Sequence, residues 1–452
     1  MERADVLVIG SSAAGLVAAL AGKRVYSDKK IVVVRKEQKT LVPCGIPYIF
    51  GSIEGSDQDI LPSDKMFQDA GIELKIQEAI EINRSEKFCL FKDGEVIKYD
   101  KLIIATGSTP KIPEWLNGKG LKNVFTVPKD KNYLDDMSQK LKKCKRIAVI
   151  GGGFIGVELS DELNKAGHEV TLIEILPHIL GLAFDYDIAE RVESVLKERG
   201  IKLKTGSGVK ELLGDKQVDG VLLDNEETVN ADAVILAMGY HPNSQLAQNA
   251  GLAISQDGYI KVDEYLRTED PDIFAIGDCA EKRDFFTRKP SRTMLAATAC
   301  AEARIAGMNL FKLSAVKTFI GTISIFSTAI GEWGFGVAGL TETTAKSEGF
   351  EYVTGTFEGM DKHPGTLPNA KKQTVKLVVG RESGIILGGE LTGGLSIGEL
   401  TNTLGFIIQN RMDLNSILTA QIGTHPLLTA SPAAYPLLKA AGNAAMKIMF
   451  RN

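Results

Sequence analysis

The sequence lacks paired cysteines. Its five thiols, at positions 44, 89, 144, 279 and 300, are widely separated, with no CxxC pair and no zinc-ligand spacing. This argues against a disulfide scaffold, gives no reason to expect a metal, and fits reduced thiols in a cytoplasmic compartment. The chain also lacks an excess of charge: 53 Lys and Arg stand against 57 Asp and Glu, a net charge of -4. A phosphate backbone would gain little by binding such a surface, so no nucleic-acid partner is expected. No apolar run reaches bilayer length, and MERADVLVIG enters a strand-like run at once with no cleavable leader, so no membrane association is expected. Histidine is scarce, with five in 452 residues.

What is present is repeated nucleotide-binding patterning. A chain of 452 residues, 44% hydrophobic, is long enough for two or three domains. Residues 5–9 (DVLVI) form an apolar run that ends at Gly10, and Ser11, Ser12, Ala13, Ala14 and Gly15 then open an amphipathic helix through Ala21. A β-branched run, IVVV at 31–34, completes a βαβ unit. Small residues at such a turn let a helix N-terminus approach a pyrophosphate, although Ser12 replaces the middle glycine and GxxxxG alone also fits a loop. The second copy is fuller. Strand RIAVI (146–150) runs into GGGFIG, with Gly151, Gly153, Phe154, Ile155 and Gly156 opening a helix to about Lys165, and HEVTLIE follows as a strand. Glu174 lies 174 − 151 = 23 residues past the first glycine, where a carboxylate binds a ribose 2′-hydroxyl and repels an extra phosphate. NADH is expected there, NADPH less so.

Two further segments share one design: KLIIATGSTP (101–110), with Ala105, Thr106 and Gly107, and DAVILAMGYHPN (232–243), with Gly239. Each reads as a buried strand ending in a small-residue turn, as required where backbone passes close to a ligand. In TEDPDIFAIGDCA, Gly277 precedes Asp278, which could accept hydrogen bonds from ligand hydroxyls or cap a helix.

GSSAAG, ATGS, GGGFIG and AIGDCA, in this order, resemble the two-dinucleotide-binding flavoprotein disulfide reductases over essentially residues 1–310. The resemblance implies an α/β chain with two Rossmann-like domains, for FAD and NADH, and an α+β C-terminal dimerisation domain. The implied divisions are 1–112 and 243–312 for FAD, 113–242 for NAD(P)H and 313–452 for dimerisation, in a homodimer whose second subunit completes the active site. By the same resemblance Asp278 contacts the ribityl and diphosphate region, and a helix from Thr293 to Ala306 faces the isoalloxazine carbonyls. Arg35 and Lys36 stand where such proteins carry an acid for the FAD ribose. Glu37 could serve after a small shift; Arg35 could stack on adenine, pair with a phosphate, or simply end a strand in solvent.

The stretch VPCGIPY (42–48) holds Cys44, and the residue five further on is Ile49, so the CxxxxC pair of glutathione reductases is missing. A lone thiol beside a flavin can be oxidised only to a sulfenic acid, a persulfide or a mixed disulfide. Pro47 suits the first turn of a helix starting near Gly45, which would put Cys44 at an N-terminus whose dipole lowers the thiol pKa. Read alone, the stretch equally fits a packed thiol; its place after the first βαβ unit, where the family carries its redox cysteine, favours the reactive reading. Cys89 and Cys300 read as core, Cys279 as backbone packing, and Cys144, in KLKKCKR, as a solvated element end.

CGIPY looks most like coenzyme A-disulfide reductases and NADH-dependent polysulfide reductases, in which basic residues at the end of the first helix help hold CoA. Lys23 and Arg24 occupy that place, or a solvated helix end. In the last third, FIGTISIFSTAIGEWGFGVAGL, YVTGTF and TVKLVVG read as strands, and LSIGELTNTLGFIIQN and AAYPLLKAAGNAAMKIMF as helices. His425, in IGTHPLLT, resembles the histidine by which a partner subunit protonates a leaving thiol; a fixed turn histidine is the alternative, Tyr435 follows ten residues on, and His363 has no assignment. The expected activity is NAD(P)H-dependent reduction of CoA disulfide, persulfide or polysulfide. The alternatives are an NADH oxidase reducing O2 and a flavoprotein electron carrier to a protein partner.

Overall fold

The computed structural model describes residues 2–314 and 318–450. Its first sheet is built on strand Glu2–Ile9, whose residues 6–9 are buried on both faces as a continuous apolar run dictates. That strand lies parallel between Ile31–Arg35 and Val96–Ile104, with Glu73–Ile76 beyond the former. Ile273–Ala275 pairs parallel with residues 102–104, so a segment far along the chain returns to complete the sheet. Phe88–Phe91 and Ala79–Asn83 extend it antiparallel.

Helix Ala13–Val25 continues one turn past Ala21. Gly22, just past that expected end, permits contact with helix Ala296–Met308, where a Cβ at Gly307 would lie 2.5 Å from the Ala18 oxygen. The latter helix starts three residues later than expected because Thr293 is engaged in a turn with Ser291 and Leu295 is extended.

The second sheet is parallel throughout, in the order Lys202–Lys204, Glu169–Ile173, Arg146–Ile150, Ala233–Leu236, Val124–Thr126. Ser108–Pro110, leaving the first sheet, pairs antiparallel with Tyr240–Pro242, returning to it. The two crossings therefore run side by side.

The last sheet is antiparallel, ordered Phe326–Ile330, Trp333–Gly339, Ile386–Gly393, Lys372–Gly380, Tyr352–Met360. Helices Ile397–Gln409 and Pro436–Met449 pack on it. The central strand Ile386–Gly393 is absent from the sequence expectations, because Gly388 and Gly389 lower its apparent strand propensity. Those glycines are there for packing: a Cβ at Gly388 would collide with the Leu340 backbone.

A buried ionic cluster fastens this sheet to the second one. Lys376 Nζ lies 2.8 Å from Asp185, 3.2 Å from Glu342 and 3.5 Å from both Asp187 and Glu390. Asp185 precedes helix Tyr186–Glu198 but does not cap it; its carboxylate accepts the N–H groups of Glu342 and Thr343 instead. Burial opposes the Asp185 charge, yet hydrogen bonds from Lys376 and Thr343 outweigh it and hold the carboxyl below its usual range. Glu390 accepts the Asp185 N–H at 2.6 Å, and burial, reinforced by the Asp185 charge, pushes it up to about 8.

Removing the cation leaves these acids uncompensated. Lys376→Met is expected to cost about 3 kcal/mol or more of stability, read by denaturant unfolding. Because the Glu390 pKa is raised in the fold, from 4.5 to about 8, its contribution to stability is present at low pH and lost as pH rises through that window. Glu390→Gln should therefore flatten that part of the stability–pH curve.

Candidate functional site

The first strand ends at Gly10, whose φ of +105 turns the chain close under Ala105. A Cβ at Gly15 would collide with the Gly10 oxygen, so only glycine lets the helix start so near the strand end. Ser12 is extended and makes no capping bond, leaving the first-turn N–H groups of Ala13 and Ala14 open to an anion. Ser11 Oγ is 3.0 Å from Thr40 Oγ1. Ala105, Thr106 and Gly107 follow the adjacent strand, and Thr106 exchanges hydrogen bonds with Asn243 at 2.6 and 2.9 Å.

Gly277 joins this loop to the helix Ala296–Met308: a Cβ there would sit 3.0 Å from Ala14 Cβ and 3.6 Å from Ala299 Cβ. Asp278 is largely buried and does not cap the short helix Gly277–Cys279. It accepts Ser108 Oγ at 2.7 Å and pairs with Lys129 Nζ at 2.8 Å. Burial opposes its charge, but Lys129 and Ser108 hold it ionised, below the usual range. Behind it, Glu302 accepts the Gly277 N–H at 2.7 Å and is pushed up to about 7 by burial.

Arg35 does not end its strand in solvent. Its guanidinium is buried and donates to the Glu37 and Gln38 oxygens (2.8 Å each), Ser63 Oγ (3.2 Å) and Asp64 (2.6 Å), pinning the following loop to helix Ser63–Asp69. Lys36 is exposed. Lys23 bonds the Ser27 and Lys29 oxygens at 2.8 and 2.9 Å and closes the turn after its helix, whereas Arg24 is exposed.

The second loop repeats the first. Gly151 has φ +111, a Cβ at Gly156 would collide with the Gly151 oxygen, and Gly153 precedes helix Phe154–Lys165 with no side-chain cap. Glu174 accepts the N–H of Gly152 at 2.6 Å and of Leu176 at 2.7 Å, bringing its carboxylate onto the glycine loop. Phe154 stacks on Phe326, centroids 4.8 Å apart and planes within 6°, and Ile155 is half-buried beside it. Gly239 has φ +88 in the return crossing.

Cys44 lies in the first turn of the 3₁₀ helix Pro43–Phe50, which begins two residues before the expected start near Gly45. Its side chain faces solvent on one side and crowded protein on the others. Burial, then the Glu158 charge, pushes the thiol up, and Lys129 pulls it part of the way back. The expected lowering by a helix dipole is thus overturned: a short 3₁₀ helix offers little dipole, while the surroundings are acidic. Of the other cysteines, Cys89 and Cys279 are buried as read. Cys144 is buried too, contrary to a solvated element end, because its thiol turns inward to the Lys140 and Asp232 oxygens. Cys300 is only half-buried, 3.9 Å from the Ala13 oxygen.

His425 is exposed with Leu427 and Leu428, its N–H bonded to Thr429 Oγ1 at 2.9 Å. Among the described residues no hydrogen bond or ion pair joins it to the Cys44 segment. His363 supports that loop, 3.0 Å from the Thr429 oxygen, and Tyr435 is half-buried before the last helix. Sequence reasoning missed Lys129, Glu158 and Glu302. Each sits in an unremarkable polar stretch (VPKD, VELSDEL, CAEAR), and only tertiary packing brings it to the site.

Comparison with known proteins agrees with this geometry. The family model described as pyridine nucleotide-disulphide oxidoreductase matches residues 4–303, and that of the same family's dimerisation domain matches residues 325–434. An NADH oxidase of Methanocaldococcus jannaschii is 30% identical over 91% of this chain and 92% of its own length. A CoA-dependent NAD(P)H sulfur oxidoreductase of Pyrococcus abyssi is 31% identical over 86% and 87%. The solved structure of an NAD-dependent persulfide reductase from A. fulgidus superposes with a TM-score of 0.90 at 29% identity, covering 99% of this chain and 84% of that one. The chain therefore belongs to the pyridine nucleotide-disulphide oxidoreductases, a family of FAD-dependent enzymes that use NAD(P)H.

Proposed function

We propose that this enzyme reduces a low-molecular-weight disulfide, persulfide or polysulfide at Cys44, with NADH as donor. The observation that carries this reading is that Cys44 alone of the five cysteines is exposed, and it lies within the field of the Lys129–Asp278 pair.

The residues fit the cofactors the family uses. FAD would be held by Gly10–Gly15, Ala105–Gly107, Gly277 and Asp278, with the uncapped N–H groups of Ala13 and Ala14 meeting a diphosphate. NADH would be held by Gly151–Gly156 and Glu174, whose carboxylate still has lone pairs for a ribose 2′-hydroxyl and would repel a 2′-phosphate. FAD bound there supplies two-electron transfer between the nicotinamide and sulfur. Residues 1–112 with 243–312, and 113–242, are our divisions for the two sites, and 313–452 for dimerisation. Arg35, with four of its five donors engaged, would act by shaping the loop beside the adenine end. Lys23 is engaged locally, so of the two basic residues Arg24 would be the one to meet CoA.

A homodimer suits the exposed Leu427, Leu428, Met446, Met449 and Phe450 of the C-terminal region. In it, His425 would serve the partner's site, consistent with its separation from its own Cys44 segment. Reduction of O2 is the second reading, favoured by the relatives named NADH oxidase.

Cys44→Ser is expected to abolish NADH-driven disulfide or polysulfide turnover while NADH still bleaches the flavin absorbance. Unchanged turnover would sink the sulfur reading, and O2 uptake that persists at the wild-type rate would favour the oxidase. Glu174→Ala should lower the NADH-over-NADPH ratio of kcat/KM on the order of tenfold, about 1.4 kcal/mol. An unaltered ratio would remove Glu174 from the ribose site.

A further inference from the structure

A buried acid with no assigned role lies against the residue that follows Cys44. Segment 59–61 runs antiparallel to segment 40–42, just ahead of the thiol. The Val42 N–H donates to the Asp59 oxygen at 2.9 Å, Leu41 pairs with Ile60, and the Leu61 N–H donates to the Thr40 oxygen at 2.8 Å. The Asp59 side chain turns inward. It is 5% exposed, and its Oδ2 has no hydrogen-bond partner among the described residues. A Cβ at Gly45 would collide with Asp59 Oδ1, so the carboxyl rests on the Gly45 Cα. Gly45 is not in the left-handed region, so its backbone makes no demand for glycine; the missing side chain makes room for the acid. Charges on the neighbouring elements are engaged with one another: Lys131 pairs with Asp57 at 2.9 Å and with Asp135 at 2.8 Å, and Ser56 Oγ donates to Asp135. Among the described residues no lysine or arginine pairs with Asp59.

We propose that Asp59 is the positioning residue of the Cys44 segment: its neutral carboxyl seats the 3₁₀ helix through Gly45, and its ionisation unseats the helix. The consequence for turnover rests on the reading of Cys44 as the redox thiol. A neutral carboxyl tolerates this dry contact, whereas a carboxylate without a donor must draw in water or leave. Burial accordingly pushes the Asp59 carboxyl up to about 6. Because the pKa is raised in the fold, from 3.8 to about 6, the seat is fully held below the lower value and is lost as pH rises through the upper one. The thiol responds through its own burial, the first cause that holds its pKa up. A helix lifted from its seat gives the sulfur more water, hence more thiolate at a given pH. Cys44 is thus shielded in acid and presented at neutral pH. The titratable groups on the elements packed around Asp59 are Asp57, Lys131, Asp135, Cys44 and Tyr48; around the thiol they are Glu158, Lys129, Asp278 and Cys300.

The test reads the thiol without turnover. The purified flavoprotein, reduced with dithiothreitol and desalted, is alkylated with iodoacetamide across the acid-to-neutral range, and the Cys44 peptide is quantified by mass spectrometry after quenching. A thiol titrating alone gains tenfold in rate per pH unit below its pKa, a slope of one on a logarithmic plot. Wild type should add a further rise through about pH 6, of at least about fivefold, the low end for coupled sites. Asp59→Asn keeps the shape and cannot ionise, so its plot should hold a slope of one throughout. Gly45→Ala drives a methyl group into the carboxyl and should raise the rate on the acid side; adding Asp59→Ala removes the collision and should bring that rate back toward wild type. A wild-type slope of one, or an extra rise that survives Asp59→Asn, overturns the role of Asp59, as does an acid-side rate in Gly45→Ala no higher than in wild type. Disulfide turnover that is unchanged in Cys44→Ser overturns instead the reading of Cys44.

Discussion

The ion pair between Lys129 and Asp278, 2.8 Å long, is the interaction around which the site is assembled. Asp278 follows the strand that returns to the first sheet, Lys129 follows the edge strand Val124–Thr126 of the second, and Ser108, bonded to both, lies in the outgoing crossing. Tyr240, in the return crossing, donates to the Val127 oxygen and places its ring 5.7 Å from the Lys129 ammonium. Four segments widely spaced in sequence thus converge on one cation. The pair is mostly buried, so its members stabilise each other only while both are present; alone, each would be an uncompensated charge. That cation also draws the Cys44 thiol pKa back down against burial and the surrounding acids. Domain placement and thiol reactivity are therefore coupled through one ammonium.

Much of the frame was legible in the sequence because it depends on local rules. The βαβ glycines announce themselves: Gly15 and Gly156 each lie five residues past a strand-ending glycine, and in both loops a side chain there would strike that glycine's oxygen. Periodicity found the strands Arg146–Ile150 and Lys372–Gly380 and the helices Ile397–Gln409 and Pro436–Met449 to within a few residues. It failed at Ile386–Gly393, where close packing demands glycine and glycine conceals the strand.

The site was less legible, for a physical reason. Arg35 reads as a strand end because its four partners come from residues 37, 38, 63 and 64, and a guanidinium's partners leave no mark on the local pattern. Cys144 reads as solvated because its neighbours in sequence are lysines, yet its thiol turns the other way. The Cys44 pKa was inferred from helix position, a local property. It is set first by burial and then by the charges of Glu158 and Lys129, which are far away along the chain. Electrostatics at a buried site sums over space, and sequence orders residues along a line.

Three buried glutamates show why a raised pKa alone assigns no role. Glu302, at about 7, accepts the Gly277 N–H and lies 3.6 Å from Lys282, so it supports the turn that carries Asp278. Glu390, at about 8, shares Lys376 with Asp185 and fastens two sheets. In both, backbone and lysine consume the carboxyl, and protonation changes stability. Glu158, at about 7, has one hydroxyl donor and, among the described residues, no cation partner. Burial is common to all three. What separates Glu158 is that, among the described residues, no lysine and no backbone N–H shares its carboxyl, so its protonation answers to burial and to the neighbouring Glu162 charge rather than to a fixed structural partner.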